Sequence, residues 1–207
     1  MLDFRKEMEK MFINESPVAV LGDWTKKDDL GSKSILVLGI QWTKKDKIGR
    51  YELWKHRSSN SWILGEYIET NEPDKPRFNI VFSIDFSNKK NIGYKLNYKK
   101  LYNVDEVGVD KKYRGDGIAT NMYKYFIKVQ GYSIISDTHQ YFGARKVWSR
   151  LSKELDILVD IIDTKNNILV KEDVILHHGN QDEEFDREIW SYDGDKQHIR
   201  LILKDIL

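Results

Sequence analysis

The sequence predicts a mixed α/β fold of the α+β type, in which helices flank a mostly antiparallel central sheet. Short apolar or aromatic segments, separated by charged and glycine-containing turns, fill residues 18–98 and are typical of strands. After Leu101 the pattern changes to strand, glycine turn, helix, strand and helix. At 207 residues the chain is long enough for a single domain with its own core, which we expect.

Residues 1–100 are predicted to be the strand-rich N-terminal part of this domain, beginning with an amphipathic helix over Met1–Phe12. The clearest strand is Phe78–Phe86, where large apolar side chains alternate with polar ones and so share one face. The alternation returns at Tyr94–Tyr98, which predicts the second strand of an antiparallel hairpin.

A pentapeptide occurs twice, as Trp24–Asp28 and as Trp42–Asp46. Two interpretations stay open: two strand ends that run into similar charged turns, or a tryptophan-lysine surface for a nucleotide or an acidic partner. The first is favoured because the surrounding residues do not repeat with the period of a solenoid.

Residues 101–207 carry the second pattern. Val104, Val107 and Val109 predict a strand before the glycine turn, and apolar residues at helical spacing predict a helix that Gly131 ends. Ser133–Ser136 reads as a strand. The apolar face of a second helix is predicted to consist of Ala144, Val147, Trp148, Leu151 and Leu155. Further strands are predicted at Ile157–Ile162, Ile168–Val170, Val174–Leu176 and Ile199–Leu203.

The composition limits the function classes. The absence of cysteine excludes disulfides, thiolate metal sites and a cysteine nucleophile. A net charge of +1 provides no overall basic field, so a nucleic-acid partner is not indicated, although a local patch is compatible with it. No segment is apolar enough for a signal peptide or a membrane span, so we expect a cytoplasmic protein with no membrane partner.

The glycine turn Arg114–Ala119 carries the chemistry. Glycines allow backbone amides to approach an anion, and the start of the next helix supplies N–H groups and a partial positive charge. Such a turn binds a pyrophosphate, or it merely makes a tight connection, and the motif alone leaves both open. A P-loop is excluded because Ile118 and Ala119 follow Gly117, and the spacing of Gly115 and Gly117 does not complete a dinucleotide fingerprint.

Residues 103–162 resemble the GNAT superfamily of N-acetyltransferases. The pyrophosphate signature of that family, Gln/Arg-x-x-Gly-x-Gly/Ala, is met by Arg114, Gly117 and Ala119. The predicted elements around the motif also follow the order found in that family: a strand before the turn, a long helix after it, and then a strand and a shorter helix. The resemblance implies a sheet with splayed middle strands, an acetyl-CoA-binding core within residues 101–207, and acetyl transfer from acetyl-CoA to an amine.

The resemblance also implies which residues bind acetyl-CoA. The backbone of the strand end polarises the acetyl carbonyl, and the amides of the turn hold the pyrophosphate. Because the carbonyl becomes an oxyanion as the amine attacks, a preoriented N–H stabilises the transition state more than the ground state. These residues are Val107, Val109, Arg114, Gly115, Asp116, Gly117, Ile118 and Ala119.

The proton donor departs from the family pattern. The second helix of the family often begins Asn-x-x-Ala-x-x-x-Tyr, and that tyrosine protonates the departing thiolate. Alignment on Ala144 puts Tyr141 at the asparagine position and Trp148 at the tyrosine position. An indole cannot serve as the acid. His139 and Tyr141 are then the nearest candidates, with water as the alternative donor.

The general base is sought among the carboxylates of the strand before the turn. Asp105 and Glu106 lie there, and adjacent strand residues face opposite sides, so at most one faces the cleft. The alternative is a pair of solvated carboxylates. His139 either takes part in catalysis or caps a helix, and His177 with His178 forms no metal site because further ligands at suitable spacing are missing. Four basic residues either contact the ribose phosphate of the coenzyme or are solvated: Lys111, Lys112, Arg145 and Lys146.

The amine acceptor stays open among a polyamine or amino sugar, a protein amine and a nucleobase. Two other functions stay open as well: a non-catalytic CoA-binding or interaction module on the GNAT fold, and a related enzyme that modifies a nucleic-acid base. The sequence does not indicate the oligomeric state.

Overall fold

The computed structural model describes residues 32–34, 41–68, 77–89, 92, 95–136, 142–176 and 198–206. The strands are β1 (Ser32–Ser34), β2 (Trp42–Ile48), β3 (Tyr51–His56), β4 (Ser61–Ile68), β5 (Arg77–Asn88), β6 (Leu101–Val109), β7 (Ser133–Ile135), β8 (Ile157–Asp163), β9 (Ile168–Lys171) and β10 (Ile199–Asp205). The helices are α1 (Ile118–Lys128) and α2 (Phe142–Leu151), and Lys111–Tyr113 forms a short 3-10 turn. The prediction of a mixed α/β fold with a mostly antiparallel sheet is confirmed.

The chain forms two compact units. In the described part, the first unit contains residues within 32–86 together with 106–121, and the second contains 87–105 and residues within 122–206. Each unit therefore takes its residues from separate stretches of the chain. The expectation that residues 1–100 and 101–207 form one domain stays a prediction.

The first unit is built on the antiparallel neighbours β2, β3, β4 and β5, and β1 also pairs with β5. The strand predicted at Phe78–Phe86 is confirmed, because its apolar side chains are buried along the length of β5. Val81 is buried too, and it lies where the pairing with β4 is irregular, because Leu64 pairs with Phe82 and Gly65 with Ile80. The pentapeptide at Trp42–Asp46 starts β2 and does not end a strand, while Trp24–Asp28 lies outside the described residues.

The second unit contains residues 101–105 of β6 and has the strand order β6, β7, β10, β8 and β9. β6 and β7 are parallel, with pairs from Leu101↔Ser133 to Asn103↔Ile135, and the other neighbours in this order are antiparallel. Apolar side chains from four strands form the core of this unit: Leu101, Ile135, Ile162 and Ile202. Parallel neighbours need a crossover connection, and α1 provides it between β6 and β7.

Two of the three predicted helices are confirmed, with one error in their residues, and the helix predicted over Met1–Phe12 lies outside the described residues. α1 ends at Lys128, where Gly131 adopts a φ of 65° and the N–H of Tyr132 donates to the carbonyl of Phe126 at 3.0 Å. Leu155 was predicted to extend the apolar face of α2, and this is wrong. The helix ends at Leu151, and the side chain of Leu155 is 96% exposed.

Two strand predictions are also wrong. The N–H of Leu96 donates to the carbonyl of Ile92 at 3.0 Å, so residues 95–98, the described part of the strand predicted at Tyr94–Tyr98, do not form the second strand of a hairpin. A spacing of four residues places Ile92 and Leu96 on one side of a helical turn, and Asn97 follows at a φ of 61°, which asparagine tolerates. Val174–Leu176 forms no strand, because only the backbone bond from Val174 N–H to the Val159 carbonyl joins it to β8 among the described residues.

The longest helix of the described part has 11 residues. No helix in that part has the length and apolar character that a membrane crossing requires.

Candidate functional site

The end of β6 is fixed before the glycine turn begins. The N–H of Asp110 donates to the carbonyl of Val81 at 3.0 Å, which ties the strand end to β5. The carboxylate of Asp110 accepts a hydrogen bond from the N–H of Lys112 at 3.0 Å and so caps the 3-10 turn. The chain therefore enters the glycine turn from a defined position.

The glycine turn folds back onto the strand it leaves. Nε of Arg114 donates to the carbonyl of Val109 at 3.0 Å. Gly115 has a φ of 98° and Gly117 a φ of 70°, a region that disfavours residues with a Cβ atom. Both glycines of the predicted motif are therefore required by the path of the backbone, which accounts for them whether or not a ligand binds.

The helix that follows begins directly at the turn. Its first internal hydrogen bond runs from the N–H of Asn121 to the carbonyl of Gly117, at 3.0 Å. The N–H groups of Ile118, Ala119 and Thr120 precede that bond and have no carbonyl four residues back within the helix. Together with the helix dipole they form a suitable environment for an anionic oxygen. The side chain of Ile118 is buried, so only its backbone can serve this purpose.

Tyr113 anchors the start of the turn. Its hydroxyl donates to Oε1 of Glu66 at 3.0 Å and accepts from Nδ2 of Asn79 at 3.3 Å. Nε of Arg50 lies 3.2 Å from Oε2 of the same glutamate, and the rings of Tyr51 and Tyr113 meet edge to face. Burial, and then the hydrogen bond to Glu66, raise the pKa of Tyr113 to about 12. Tyr113 therefore stays a neutral phenol at neutral pH.

This anchor was not predicted from the sequence. Tyr113 carries a large ring at the first position of a polar turn, which is a local sign of packing. Glu66 and Asn79 are far from it in sequence, and nothing near them indicates that they meet.

The strand residues implied to contact the acetyl group lie at the end of β6, beyond its pairing with β7. Val107 and Val109 are half-buried, and Gly108 between them is buried. The parallel pairing with β7 stops at Asn103↔Ile135, where β7 itself ends, while β6 continues to Val109.

The two candidate bases are both exposed, so burial does not separate them. Oδ1 of Asp105 accepts hydrogen bonds at 2.7 Å from Oγ of Ser87 and from Nδ2 of Asn103. The Asn103 carbonyl oxygen in turn accepts from Nη2 of Arg200 at 2.5 Å. The side chain of Glu106 makes no hydrogen bond to another described residue.

Two predicted catalytic residues, His139 and Tyr141, lie outside the described residues, as do His177 and His178. Trp148, at the position where the family has its acid, is buried and meets the ring of Tyr123 edge to face. Its role there is packing. No cluster of three or more histidine, aspartate or glutamate side chains that would suit a metal ion occurs within the described ranges.

The predicted basic residues divide by position. Lys111 and Lys112 are exposed beside the turn, and Nζ of Lys112 lies 5.5 Å from the centre of the Tyr113 ring. Arg145 and Lys146 are half-buried on α2. The lysines thus flank the glycine turn directly in sequence and in structure.

Asn121, in the first turn of α1, has a buried side-chain donor without a partner among the described residues. Asn121 is 1% exposed, and its Nδ2 has no hydrogen-bond partner in the described part of the chain. A buried amide donor without an acceptor is uncommon in folded proteins. Nothing in the sequence distinguished Asn121 from an ordinary helix residue.

Comparisons of this chain with family models, with curated proteins and with solved structures found no match.

Proposed function

We propose that this chain is an N-acetyltransferase that transfers the acetyl group of acetyl-CoA to an amine. The observation that carries the proposal is the glycine turn Arg114–Ala119, which runs from a fixed strand end into the first turn of α1. Gly115 and Gly117 have positive φ angles, and the first three N–H groups of α1 have no carbonyl four residues back within the helix. This arrangement suits the diphosphate of coenzyme A.

The order of elements supports the same function. A strand, the glycine turn, a long helix, a strand and a shorter helix follow each other from β6 to α2, as the resemblance to the GNAT superfamily implies. The parallel pairing of β6 with β7 ends well before Val109, which is compatible with the splayed strands of that family. A splayed strand end leaves backbone N–H groups available to the acetyl carbonyl.

The reaction needs no covalent enzyme intermediate. The nitrogen of a neutral amine attacks the acetyl carbonyl carbon, the C–N bond forms, and the C–S bond breaks to release the coenzyme A thiolate. A backbone N–H near Val107 or Val109 stabilises the oxyanion. The proton lost by the amine passes through a base or water, and the thiolate takes up one proton.

Glu106 is a better base than Asp105 in this scheme. Oδ1 of Asp105 already accepts hydrogen bonds from Ser87 and Asn103, so that oxygen is engaged in the fold. Glu106 is exposed, directly precedes Val107 and has no such recorded bonds to described residues. His139 and Tyr141 keep their proposed roles as proton donors.

The proposal is tested by measuring release of free coenzyme A thiol with a panel of amines, comparing wild type with Gly117→Trp. The panel contains polyamines, amino sugars, lysine peptides, and single- and double-stranded DNA. Gly131→Trp is the matched control, because Gly131 has a φ of 65° against 70° for Gly117 and lies beyond the other end of α1. Both substitutions impose a similar backbone strain.

We expect turnover with at least one amine by wild type and Gly131→Trp, and none by Gly117→Trp. Equal turnover by the two tryptophan variants would show that the glycine turn does not hold the donor. No turnover by wild type with any acceptor would contradict the proposed reaction.

A second function is favoured by one observation. Trp148 is buried where the family has its catalytic tyrosine, so this chain packs a ring at the position of the usual acid. A module that binds coenzyme A without transferring an acetyl group has the same turn and no need of that acid. Binding of acetyl-CoA without turnover on the amine panel would select this function.

A further inference from the structure

The side-chain amide of Asn121 is a buried donor without an acceptor. Asn121 is 1% exposed, and within the described residues its Nδ2 has no hydrogen-bond partner. Both lysines of α1 find partners in the fold. Nζ of Lys124 lies 2.7 Å from Oε1 of Glu154, and Nζ of Lys128 donates to Oδ1 of Asp205 at 2.8 Å. The unsatisfied group of this helix is therefore the one next to the glycine turn.

The geometry of a helix directs this amide towards the turn. The N–H of Asn121 makes the first internal bond of α1, to the carbonyl of Gly117. Side chains in a helix lean towards its N-terminal end, over the residues three and four positions earlier. We therefore expect the amide of Asn121 to lean towards Gly117 and Ile118, at the end of the helix where its first N–H groups lie.

We propose that Nδ2 of Asn121 donates a hydrogen bond to a phosphoryl oxygen of the ligand held by the Arg114–Ala119 turn. The acceptor must be an oxygen, because an amide N–H needs one. The positive end of the helix and its N–H groups favour an oxygen with negative charge. Asn121 is then a binding residue that supplements the backbone amides with a side-chain donor.

This assignment rests on the proposed function for the identity of the ligand, since acetyl-CoA supplies a diphosphate. It does not rest on acetyl transfer. A diphosphate from another source would satisfy the same donors, so the test uses acetyl-CoA and inorganic pyrophosphate as separate probes.

The test replaces Asn121 by leucine, which has the same branching and no donor. Without ligand, Asn121→Leu removes an unsatisfied buried donor, so we expect the Tm to rise by about 2–4 °C. With ligand, the loss of the hydrogen bond is expected to raise the Kd for acetyl-CoA about 10-fold, measured by titration calorimetry. Asn121→Asp keeps the shape, places a carboxylate against the phosphate and is expected to weaken binding further.

The matched control is Asn103→Leu. Asn103 is also buried, but its amide donates to Asp105 and its carbonyl accepts from Arg200. The same substitution there is expected to lower the Tm. Replacing a donor reserved for a ligand should therefore raise the Tm, whereas replacing a structural donor should lower it.

A direct measurement on the wild type makes the test independent of the variants. The side-chain NH₂ resonances of Asn121, assigned by their loss in Asn121→Asp, should shift on addition of acetyl-CoA or pyrophosphate. An unchanged Kd in Asn121→Leu, or NH₂ resonances that do not move at saturation, would overturn the assignment.

The two proposals fail in different ways. Wild type that binds pyrophosphate but not acetyl-CoA would overturn the proposed function, and the role of Asn121 would then be decided by the pyrophosphate Kd of Asn121→Leu. Tight acetyl-CoA binding that Asn121→Leu leaves unchanged would overturn the role of Asn121 alone. Binding of neither probe would overturn both.

Discussion

Two buried asparagines show how differently this chain treats polar groups in two regions. Around Asn103, in β6, Ser87, Asp105 and Arg200 complete a chain of side-chain hydrogen bonds. At the start of α1, Asn121 is equally enclosed, but its amide donor has no partner among the described residues. The first region is complete as folded, whereas the second has a donor available for something that the folded chain does not supply.

This difference separates structural polar groups from candidate functional ones. A buried donor without a partner costs about 1–3 kcal/mol, so its presence beside a glycine turn needs a reason. A ligand with an anionic oxygen is such a reason. If the interpretation is correct, substitutions in the first region lower stability, and substitutions in the second affect binding more than folding.

The largest loss of stability is expected from Asp160→Ala, in the same unit as Asn103. Asp160 is fully buried, and its Oδ2 accepts from Nζ of Lys204 at 2.7 Å and from the hydroxyl of Tyr98 at 2.5 Å. Removing the carboxylate leaves the ammonium without its buried partner, which costs about 3–5 kcal/mol. Chemical denaturation measures the change. Asp160→Asn retains an acceptor, so its free energy of unfolding should fall less than that of Asp160→Ala. An equal or larger fall would refute the contact with Lys204 as the cause.

A smaller loss, about 2 kcal/mol, is expected from Asn103→Leu, because Asp105 and Arg200 each lose a hydrogen bond to a buried amide. Asn121→Leu, measured in parallel without ligand, should stabilise the protein. The proposed difference between the two asparagines would be wrong if Asn103→Leu and Asn121→Leu destabilised the protein equally.

Tyr113→Phe is expected to cost about 1–2 kcal/mol at neutral pH, since the hydrogen bonds to Glu66 and from Asn79 are both lost. The pKa of Tyr113 is raised from 10.0 to about 12 in the folded protein, so the protonated phenol stabilises the fold. That contribution is complete below the unfolded pKa and is lost as the pH rises from 10.0 to about 12. Denaturation curves of Tyr113→Phe should therefore depend less on pH in this range than those of wild type.

The smallest effect on stability is expected from Glu106→Gln, within about 0.5 kcal/mol, because the side chain is exposed. If Glu106 is the base, the substitution is expected to lower the kcat of acetyl transfer about 100-fold. Asp105→Asn is the control, and a larger loss of kcat in that variant, with its stability intact, would assign the base to Asp105.

The sequence predicted well those elements whose periodicity is local. β5, β6 and α1 follow from alternation or helical spacing, and the glycine turn was found because positive φ angles required glycines at Gly115 and Gly117. The segment Tyr94–Tyr98 failed because Ile92 and Leu96 fit a helical turn as well as Leu96 and Tyr98 fit a strand. The end of α2 was missed because an apolar residue, Leu155, continues the spacing after the backbone has left the helix.

The parts of the site that depend on distant contacts could not be predicted. Pairing of β4 with β5 places Glu66 opposite Asn79, and the Tyr113 hydroxyl bonds both, yet their spacing in sequence gives no sign of this. Asn121 is distinctive only because its surroundings lack an acceptor, which a one-dimensional pattern does not contain. His139 and Tyr141 lie outside the described residues, so their assignment as proton donors stays a prediction.

The most direct test of the central claim is calorimetric titration of acetyl-CoA into wild type, Gly117→Trp and Gly131→Trp. The turn at Arg114–Ala119 is the proposed diphosphate site, and only the first substitution places an indole within it. We predict binding by wild type and Gly131→Trp and none by Gly117→Trp. Failure of wild type to bind, or equal binding by all three proteins, would contradict the claim and leave Arg114–Ala119 as a connection between a strand and a helix.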